Sequence, residues 1–104
     1  TAPTPVADAG LPRALALAQN APNPFNPQTT IAFSVDRASV VRLGVYDLQG
    51  RLVRTLADRT YAPGEHSVVW DGRDGSGSEM PSGLYLYRLE DGRRTQTRKM
   101  VLVR

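Results

Sequence analysis

Short stretches in which apolar residues alternate with polar or small ones recur along most of the chain, and turn-forming residues separate them. Ile31, Phe33 and Val35 follow this pattern in one stretch, and Leu43 and Val45 follow it in the next. A period of two residues places the apolar side chains of a strand on one face. The pattern predicts seven strands, at 15–19, 30–35, 40–47, 52–57, 65–71, 83–90 and 95–103.

Turn residues between these strands predict antiparallel pairs. The segment 48–50 joins two strands as a hairpin, and Asp91-Gly92 joins the last two. No stretch has a sustained apolar period of 3.6 residues, so we expect no substantial helix. We therefore predict an all-β fold, an immunoglobulin-like antiparallel β-sandwich of about seven strands. Its expected core consists of Ile31, Phe33, Leu43, Val45, Val68, Trp70, Tyr85 or Leu86, and Met100 or Leu102.

The first 14 residues differ from the remainder of the chain. They contain three prolines, several small residues and no periodicity, which is typical of a semi-extended linker. We expect a Pro/Ala-rich linker at 1–14 and one folded domain at 15–104, within the usual size of a single domain. A linker in this position indicates a domain attached to a larger protein. The chain does not begin with a basic region and an apolar stretch, so for an exported protein we expect the secretion signal further upstream.

Composition narrows the possible functions. The absence of cysteine excludes a disulfide, a thiolate metal site and a cysteine nucleophile. No apolar run approaches the roughly 20 residues that span a bilayer, so no transmembrane segment is expected. The net charge is +3, and basic residues concentrate near the end of the chain. We interpret them as the solvated face of an edge strand, rather than a nucleic-acid site. They are Arg88, Arg93, Arg94, Arg98, Lys99 and Arg104.

The most distinctive local motif is Asn23-Pro24-Phe25-Asn26-Pro27. Proline restricts the backbone, and asparagine side chains bond to nearby backbone groups, so the segment is predicted to be a rigid corner. We expect Phe25 to close one open end of the sandwich. The alternative is that the corner contacts a partner directly.

A glycine-rich loop carries four oxygen-bearing side chains, Asp71, Asp74, Ser76 and Glu79. Such oxygens are ligands that calcium prefers, which makes Asp71 and Asp74 a weak calcium candidate. The spacing does not match an EF-hand loop, and Asx turns together with glycines such as Gly72 explain the loop without an ion. We expect neither a metal nor a cofactor.

The residues indicate no catalytic constellation. His66 is the only histidine, and no nucleophile motif accompanies it, so we assign it a structural role at or near the sandwich rim. Acidic residues can be paired on paper, but nothing singles out one pair. The aromatic residues leave a stacking platform for sugar as an alternative to core packing. These residues are Tyr46, Tyr61, Trp70, Tyr85 and Tyr87.

An ordered series of short motifs resembles one family. It consists of Leu17-Ala18-Gln19-Asn20, Pro22-Asn23-Pro24-Phe25-Asn26-Pro27, Thr30-Ile31, Val45-Tyr46-Asp47, Gly50-Arg51, Gly64, His66, Trp70-Asp71-Gly72-Arg73-Asp74, Ser82-Gly83-Leu84-Tyr85, Tyr87-Arg88-Leu89 and Lys99-Met100-Val101-Leu102. The series resembles the type A C-terminal sorting domain of the type IX secretion system, a family that overlaps with the immunoglobulin-like domain of the flagellar hook-capping protein. The resemblance covers about residues 15–104.

The resemblance implies a sandwich at the C-terminus of an exported bacterial protein, after a catalytic or adhesive domain of the same chain. Its partners would be the secretion translocon and the surface-attachment machinery. The protein would pass through the periplasm and be secreted or held at the outer cell surface. In such domains the last strands matter for recognition, which maps onto Gly83, Tyr85, Lys99, Met100, Val101, Leu102 and Val103.

Three hypotheses for the function follow, and none is an enzyme. The first is a sorting or surface-anchoring signal in which the translocon recognises a folded sheet edge. The second is a carbohydrate-binding accessory module of an extracellular hydrolase, which requires exposed coplanar aromatic rings. The third is a structural spacer, or a hook-cap-like element that associates through sheet edges.

Overall fold

The computed structural model describes residues 14–104, and within that range it contains strands and no helix. The seven strands are β1 (Ala16–Leu17), β2 (Thr29–Val35), β3 (Ser39–Tyr46), β4 (Leu52–Tyr61), β5 (Gly64–Trp70), β6 (Gly83–Glu90) and β7 (Thr95–Leu102). The predicted all-β sandwich is confirmed. Apart from Ala14, the predicted linker lies outside the described residues.

Two strands differ in length from their predictions. The first strand, expected at 15–19, has only two residues, because the chain turns toward the proline-rich corner after Leu17. The fourth strand does not end at Ala57 but continues to Tyr61. Residues 58–61 remain paired with β3, and Tyr61 is buried, so both pairing and packing extend this strand beyond the apolar alternation visible in sequence.

The strands form two antiparallel sheets. The three-stranded sheet has the order β1-β2-β5, and the four-stranded sheet has the order β4-β3-β6-β7. The β3–β4 and β6–β7 hairpins predicted from turn residues are both present. Three connections move the chain from one sheet to the other, from β2 to β3, from β4 to β5 and from β5 to β6. Two sheets stacked in this way bury one face of each against the other.

The core lies between the sheets and follows the period of two within each strand. In β6, Tyr85, Tyr87 and Leu89 are buried, whereas the residues between them are more exposed. Trp70 is fully buried at the centre and stacks edge-on against Tyr85, with ring centroids 5.4 Å apart. Burying each large apolar side chain contributes on the order of 1.5–3 kcal/mol.

The predicted core is confirmed with one correction. Val68 is only partly buried, because it lies in β5 at the open edge of the smaller sheet. Tyr85 rather than Leu86 faces inward, and Met100 and Leu102 are both fully buried.

One side of the sandwich is closed by side chains that join β1 to β7. The Gln96 side-chain amide donates to the Leu15 carbonyl at 2.7 Å and accepts from the Leu17 backbone N–H at 2.9 Å. Arg98 Nε donates to the Leu17 carbonyl at 2.6 Å. Side chains therefore join the two sheets where no backbone ladder does.

Candidate functional site

The predicted recognition residues lie together on the β6–β7 hairpin. Gly83 is directly opposite Leu102, and Tyr85 is directly opposite Met100. β7 is the last strand of the four-stranded sheet, as expected for the basic segment. Pairing thus brings residues nearly 20 positions apart in sequence into contact across a single ladder.

These residues divide between two faces of the sheet. Tyr85, Met100 and Leu102 point into the core and are 4% exposed or less. Lys99 and Val103 are exposed and Val101 is half-buried, so these three side chains point outward. A molecule that approaches the folded domain can contact the outward set, whereas the inward set is covered by the core.

The outer edge of β7 is covered by the proline-asparagine corner. The Phe25 N–H donates to the Val101 carbonyl at 3.0 Å, and the Val103 N–H donates to the Phe25 carbonyl at 2.9 Å. The Val101 N–H donates to Asn23 Oδ1 at 3.0 Å, and the Gln19 amide donates to the Lys99 carbonyl at 2.8 Å. The final part of β7 therefore has its edge groups already bonded within the domain.

Phe25 occupies the position that the sequence predicted. Its ring is 2% exposed and packs against Trp70, with centroids 5.7 Å apart. Pro24, Asn26 and Pro27 are exposed. The corner therefore inserts one aromatic ring into the core and places its other members at the surface.

A buried polar network fixes the chain just before the corner. The Tyr87 hydroxyl donates to the Ala18 carbonyl at 2.7 Å and accepts from the Asn20 N–H at 2.8 Å. The Asn20 side-chain amide donates to Thr29 Oγ1 and to the Pro22 carbonyl, each at 3.0 Å. Burial raises the pKa of Tyr87, so the phenol stays protonated and remains a donor. Sequence reasoning missed this network because its partners come together only in the fold.

The glycine-rich loop is held by Arg104, another residue whose role the sequence did not indicate. The Arg104 guanidinium donates to the carbonyls of Gly72 and Met80, and its backbone N–H donates to Ser82 Oγ at 2.8 Å. Gly72 has a positive φ of 77°, and a Cβ there would lie 2.8 Å from Arg104 Nη2. Glycine at position 72 therefore makes room for the guanidinium.

The two carboxylates of the weak calcium candidate already have donors. Asp71 Oδ1 pairs with Arg54 Nη1 at 2.9 Å and accepts the Arg73 N–H at 3.1 Å. Asp74 Oδ1 accepts from the Ser76 hydroxyl at 2.8 Å and from the backbone N–H groups of Ser78 and Ser76, both at 2.9 Å, and these contacts lower the pKa of Asp74. Among residues 14–104, no group of three or more metal-ligating side chains converges. The loop geometry is that of Asx turns.

Four of the five aromatic residues considered for a sugar-binding platform are core residues. Tyr61, Trp70, Tyr85 and Tyr87 are 5% exposed or less, and only Tyr46 of the five proposed for a platform reaches the surface. Its ring is covered by the Arg88 guanidinium, 4.5 Å from the centroid. Stacking on sugar needs exposed ring faces. The observed burial therefore argues against the carbohydrate-platform hypothesis.

His66 is half-buried at the rim of the sandwich. Its ring lies 4.7 Å from the Tyr61 ring and 5.6 Å from the Phe33 ring, and Nε2 is 2.8 Å from the Ala62 carbonyl. These contacts fit the structural role predicted for it.

Within the described part of the chain, no helix is long and apolar enough to cross a membrane.

A family model described as the FlgD Ig-like domain matches residues 20–94 of the chain. No curated protein matches this chain. The solved structures that share the fold include the following three. Dimeric latent PorU from Porphyromonas gingivalis has a TM-score of 0.67 and 23% identity over 82% of this chain and 9% of its own. FlgD from P. aeruginosa has a TM-score of 0.57 and 28% identity over 71% of this chain and 58% of its own.

The third is PorZ of Porphyromonas gingivalis, described as an essential bacterial surface component of the type IX secretion system. Its TM-score is 0.57, with 20% identity over 86% of this chain and 11% of its own. The chain therefore spans less than two thirds of each of these three proteins, and about a tenth of PorU and PorZ.

Proposed function

Because the chain belongs to the FlgD Ig-like domain family, we propose that it is a non-catalytic accessory domain of a larger exported bacterial protein. We further propose that its β6–β7 hairpin is a sorting or surface-anchoring signal for the type IX translocon. The residues involved are Gly83, Tyr85, Lys99, Met100, Val101, Leu102 and Val103. A protein sorted in this way crosses the periplasm and is secreted or kept at the outer surface.

One observation carries the proposal most directly. Apart from Val103, which directly follows β7, the residues that the resemblance assigns to recognition belong to one paired strand ladder. Of the outward members, Lys99 and Val103 are exposed and Val101 is half-buried. The fold likeness to domains of PorU and PorZ supports the assignment to this secretion pathway. No catalytic residue set is required, since a sorting signal acts by binding alone.

A fusion experiment tests the sorting role. Residues 1–104 are appended to a periplasmic reporter in a bacterium that has the type IX system, and reporter activity is measured in the medium, at the cell surface and in the periplasm. We expect the reporter outside the periplasm in this bacterium. In a matched strain without the translocon, we expect it to be retained in the periplasm. Retention in both strains would contradict the sorting role.

A structural element comparable to a hook-cap domain is the second candidate. The 28% identity to FlgD over more than half of that chain favours it. In this case deletion of the domain from its native protein leaves export unchanged and alters only assembly or stability. Export of the deleted protein at the wild-type level, combined with retention of the reporter fusion, would support this candidate over the first.

A further inference from the structure

Exposed apolar side chains concentrate on the larger sheet. Among the described residues, six large apolar side chains are exposed, and only Val69 belongs to the smaller sheet. The other five lie on the four-stranded sheet, in its β3–β4 turn or just beyond its last strand: Val40, Leu48, Leu52, Leu84 and Val103. Contiguous exposed apolar surface on a soluble domain marks an interaction site more often than scattered residues do.

One group of neighbours lies where β6 begins and β7 ends. Leu84 is directly opposite Val101, and Leu86 is directly opposite Lys99. All four side chains face away from the core. The residues that alternate with them along β6 and β7, such as Tyr85 and Met100, face into it. Leu84 is 38% exposed, and Val103, next along the same face, is 46% exposed. We name this surface, formed by Leu84, Leu86, Lys99, Val101 and Val103, the outer patch.

The charges on this sheet face are distributed unevenly. Arg42 pairs with Asp58 at 3.7 Å, and Arg88 pairs with Glu90 at 3.3 Å. Lys99, by contrast, makes no ion pair with any carboxylate of residues 14–104. The outer patch is therefore apolar with one ammonium group whose charge the described domain does not neutralise.

The other two surfaces of β7 are already occupied. Its inward side chains fill the core, and its edge at Lys99, Val101 and Val103 is bonded to Gln19, Asn23 and Phe25. A partner strand that extended the sheet there would first have to displace the corner and expose Phe25. Only the outward face of the final residues is available without unfolding.

We infer that the outer patch is the surface that the sorting partner contacts, an inference that rests on the proposed function. The partner is a folded protein surface that presents apolar side chains to Leu84, Val101 and Val103 and a carboxylate to Lys99. An ammonium group buried by an apolar partner requires an opposite charge, since an unpaired buried charge is costly. Electrostatic complementarity of this kind also suppresses wrong partners, because like charges in contact repel.

The reporter fusion, carrying the complete 104-residue chain, tests the inference with five variants, two of which are controls. Lys99→Glu reverses the charge, Lys99→Arg keeps it, and Leu84→Ser/Val103→Ser makes the patch polar. Arg93→Glu changes the net charge as much as Lys99→Glu does but lies in the exposed β6–β7 turn, outside the patch. Val40→Ser alters an exposed apolar residue at the far end of the same sheet face and is the control for the double variant.

We expect Lys99→Glu and the double variant to lower the secreted fraction about tenfold or more, the order expected for like-charge or polar mismatch at an interface. Both controls should be secreted as the wild type is, and Lys99→Arg should be secreted more than Lys99→Glu because it keeps the positive charge. Purified variants should melt within a few degrees of the wild type, because exposed substitutions change stability little.

Wild-type secretion of both Lys99→Glu and the double variant would overturn the outer patch while leaving the sorting role intact. An equal loss in Arg93→Glu would also overturn it, since net charge would then be the cause. Retention of the unaltered fusion would overturn the proposed function, and this inference with it. The two failures are therefore distinguishable.

Discussion

At the scale of single residues, close approaches decide which side chain a position accepts. Gly72 and Gly77 lie in the same loop and both have positive φ, 77° and 93°. Their surroundings differ. A Cβ at Gly72 would lie 2.8 Å from Arg104 Nη2 and 2.9 Å from the Pro27 carbonyl oxygen, whereas a Cβ at Gly77 would meet nothing within 4 Å. Substitution of Gly77 therefore tests the cost of backbone strain alone, whereas substitution of Gly72 tests backbone strain together with steric clashes.

Gly77→Ala is expected to cost about 1–2 kcal/mol in the free energy of unfolding, the usual penalty for an L residue in the left-handed region. Gly72→Ala should cost at least about 1 kcal/mol more, because one of the two clashes is with backbone and cannot be relieved by rotating a side chain. Urea denaturation followed by Trp70 fluorescence measures both. Equal losses in the two variants would show that neither close approach at Gly72 costs stability.

At the scale of elements, the corner at 22–27 acts as a short additional strand. Phe25 forms a parallel bridge with Leu102, and its backbone bonds extend the edge of β7. Its ring anchors this bridge by packing on Trp70. Exposed strand edges promote aggregation, and covering them with a loop is one way of preventing it. The corner therefore protects the final strand and closes the sandwich with the same residue.

Phe25→Ala is expected to lower the free energy of unfolding by about 3–5 kcal/mol, the usual cost of truncating a buried aromatic residue. It should also speed hydrogen exchange at the Val103 amide, which donates to the Phe25 carbonyl. Asn26→Ala, at the exposed neighbouring position, should change stability by less than about 0.5 kcal/mol. If Phe25→Ala cost no more than Asn26→Ala, the ring would not be an anchor.

At the scale of the whole molecule, one cationic side chain joins two connections that are far apart in sequence. Arg94 pairs with Asp36, in the connection between the sheets, at 2.8 Å, and with Asp91 in the β6–β7 turn at 2.6 Å. The Arg94 backbone N–H and guanidinium, together with the Arg93 N–H, lower the pKa of Asp91 from 3.8 to about 2. The Arg94 guanidinium is also the main cause of the lowered pKa of Asp36.

These lowered pKa values give a direction for the pH dependence of stability. A carboxylate whose pKa is lower in the folded state contributes stability above its unfolded pKa, and this is lost as pH falls through the folded value. We therefore expect the melting temperature to fall between about pH 4 and pH 2. Asp91→Asn should melt below the wild type at pH 6 and show a shallower fall in that range. Parallel curves for the two proteins, measured by thermal melting at stepwise pH, would contradict the assignment to Asp91.

Local patterns in the sequence determined the strands and the larger part of the core. The period of two places Ile31, Phe33, Leu43 and Val45 inward whatever the neighbouring strands are, because successive side chains of a strand point to opposite faces. The turn residues were sufficient to predict the two hairpins. The distinctive corner could be predicted to be rigid, and Phe25 to be buried, from proline chemistry alone.

Tertiary structure decided what no local pattern contains. Only the sheet order makes β7 an edge strand whose edge is covered, and only the register places Leu84 beside Val101 and Leu86 beside Lys99. Val68 has the pattern of a core residue but lies at the rim. Asn20, Arg94 and Arg104 find bonding partners as far as 67, 58 and 32 residues away, respectively. Such contacts depend on which strands come together, so the sequence predicted that the last strands matter, and the fold decided which of their faces a partner can reach.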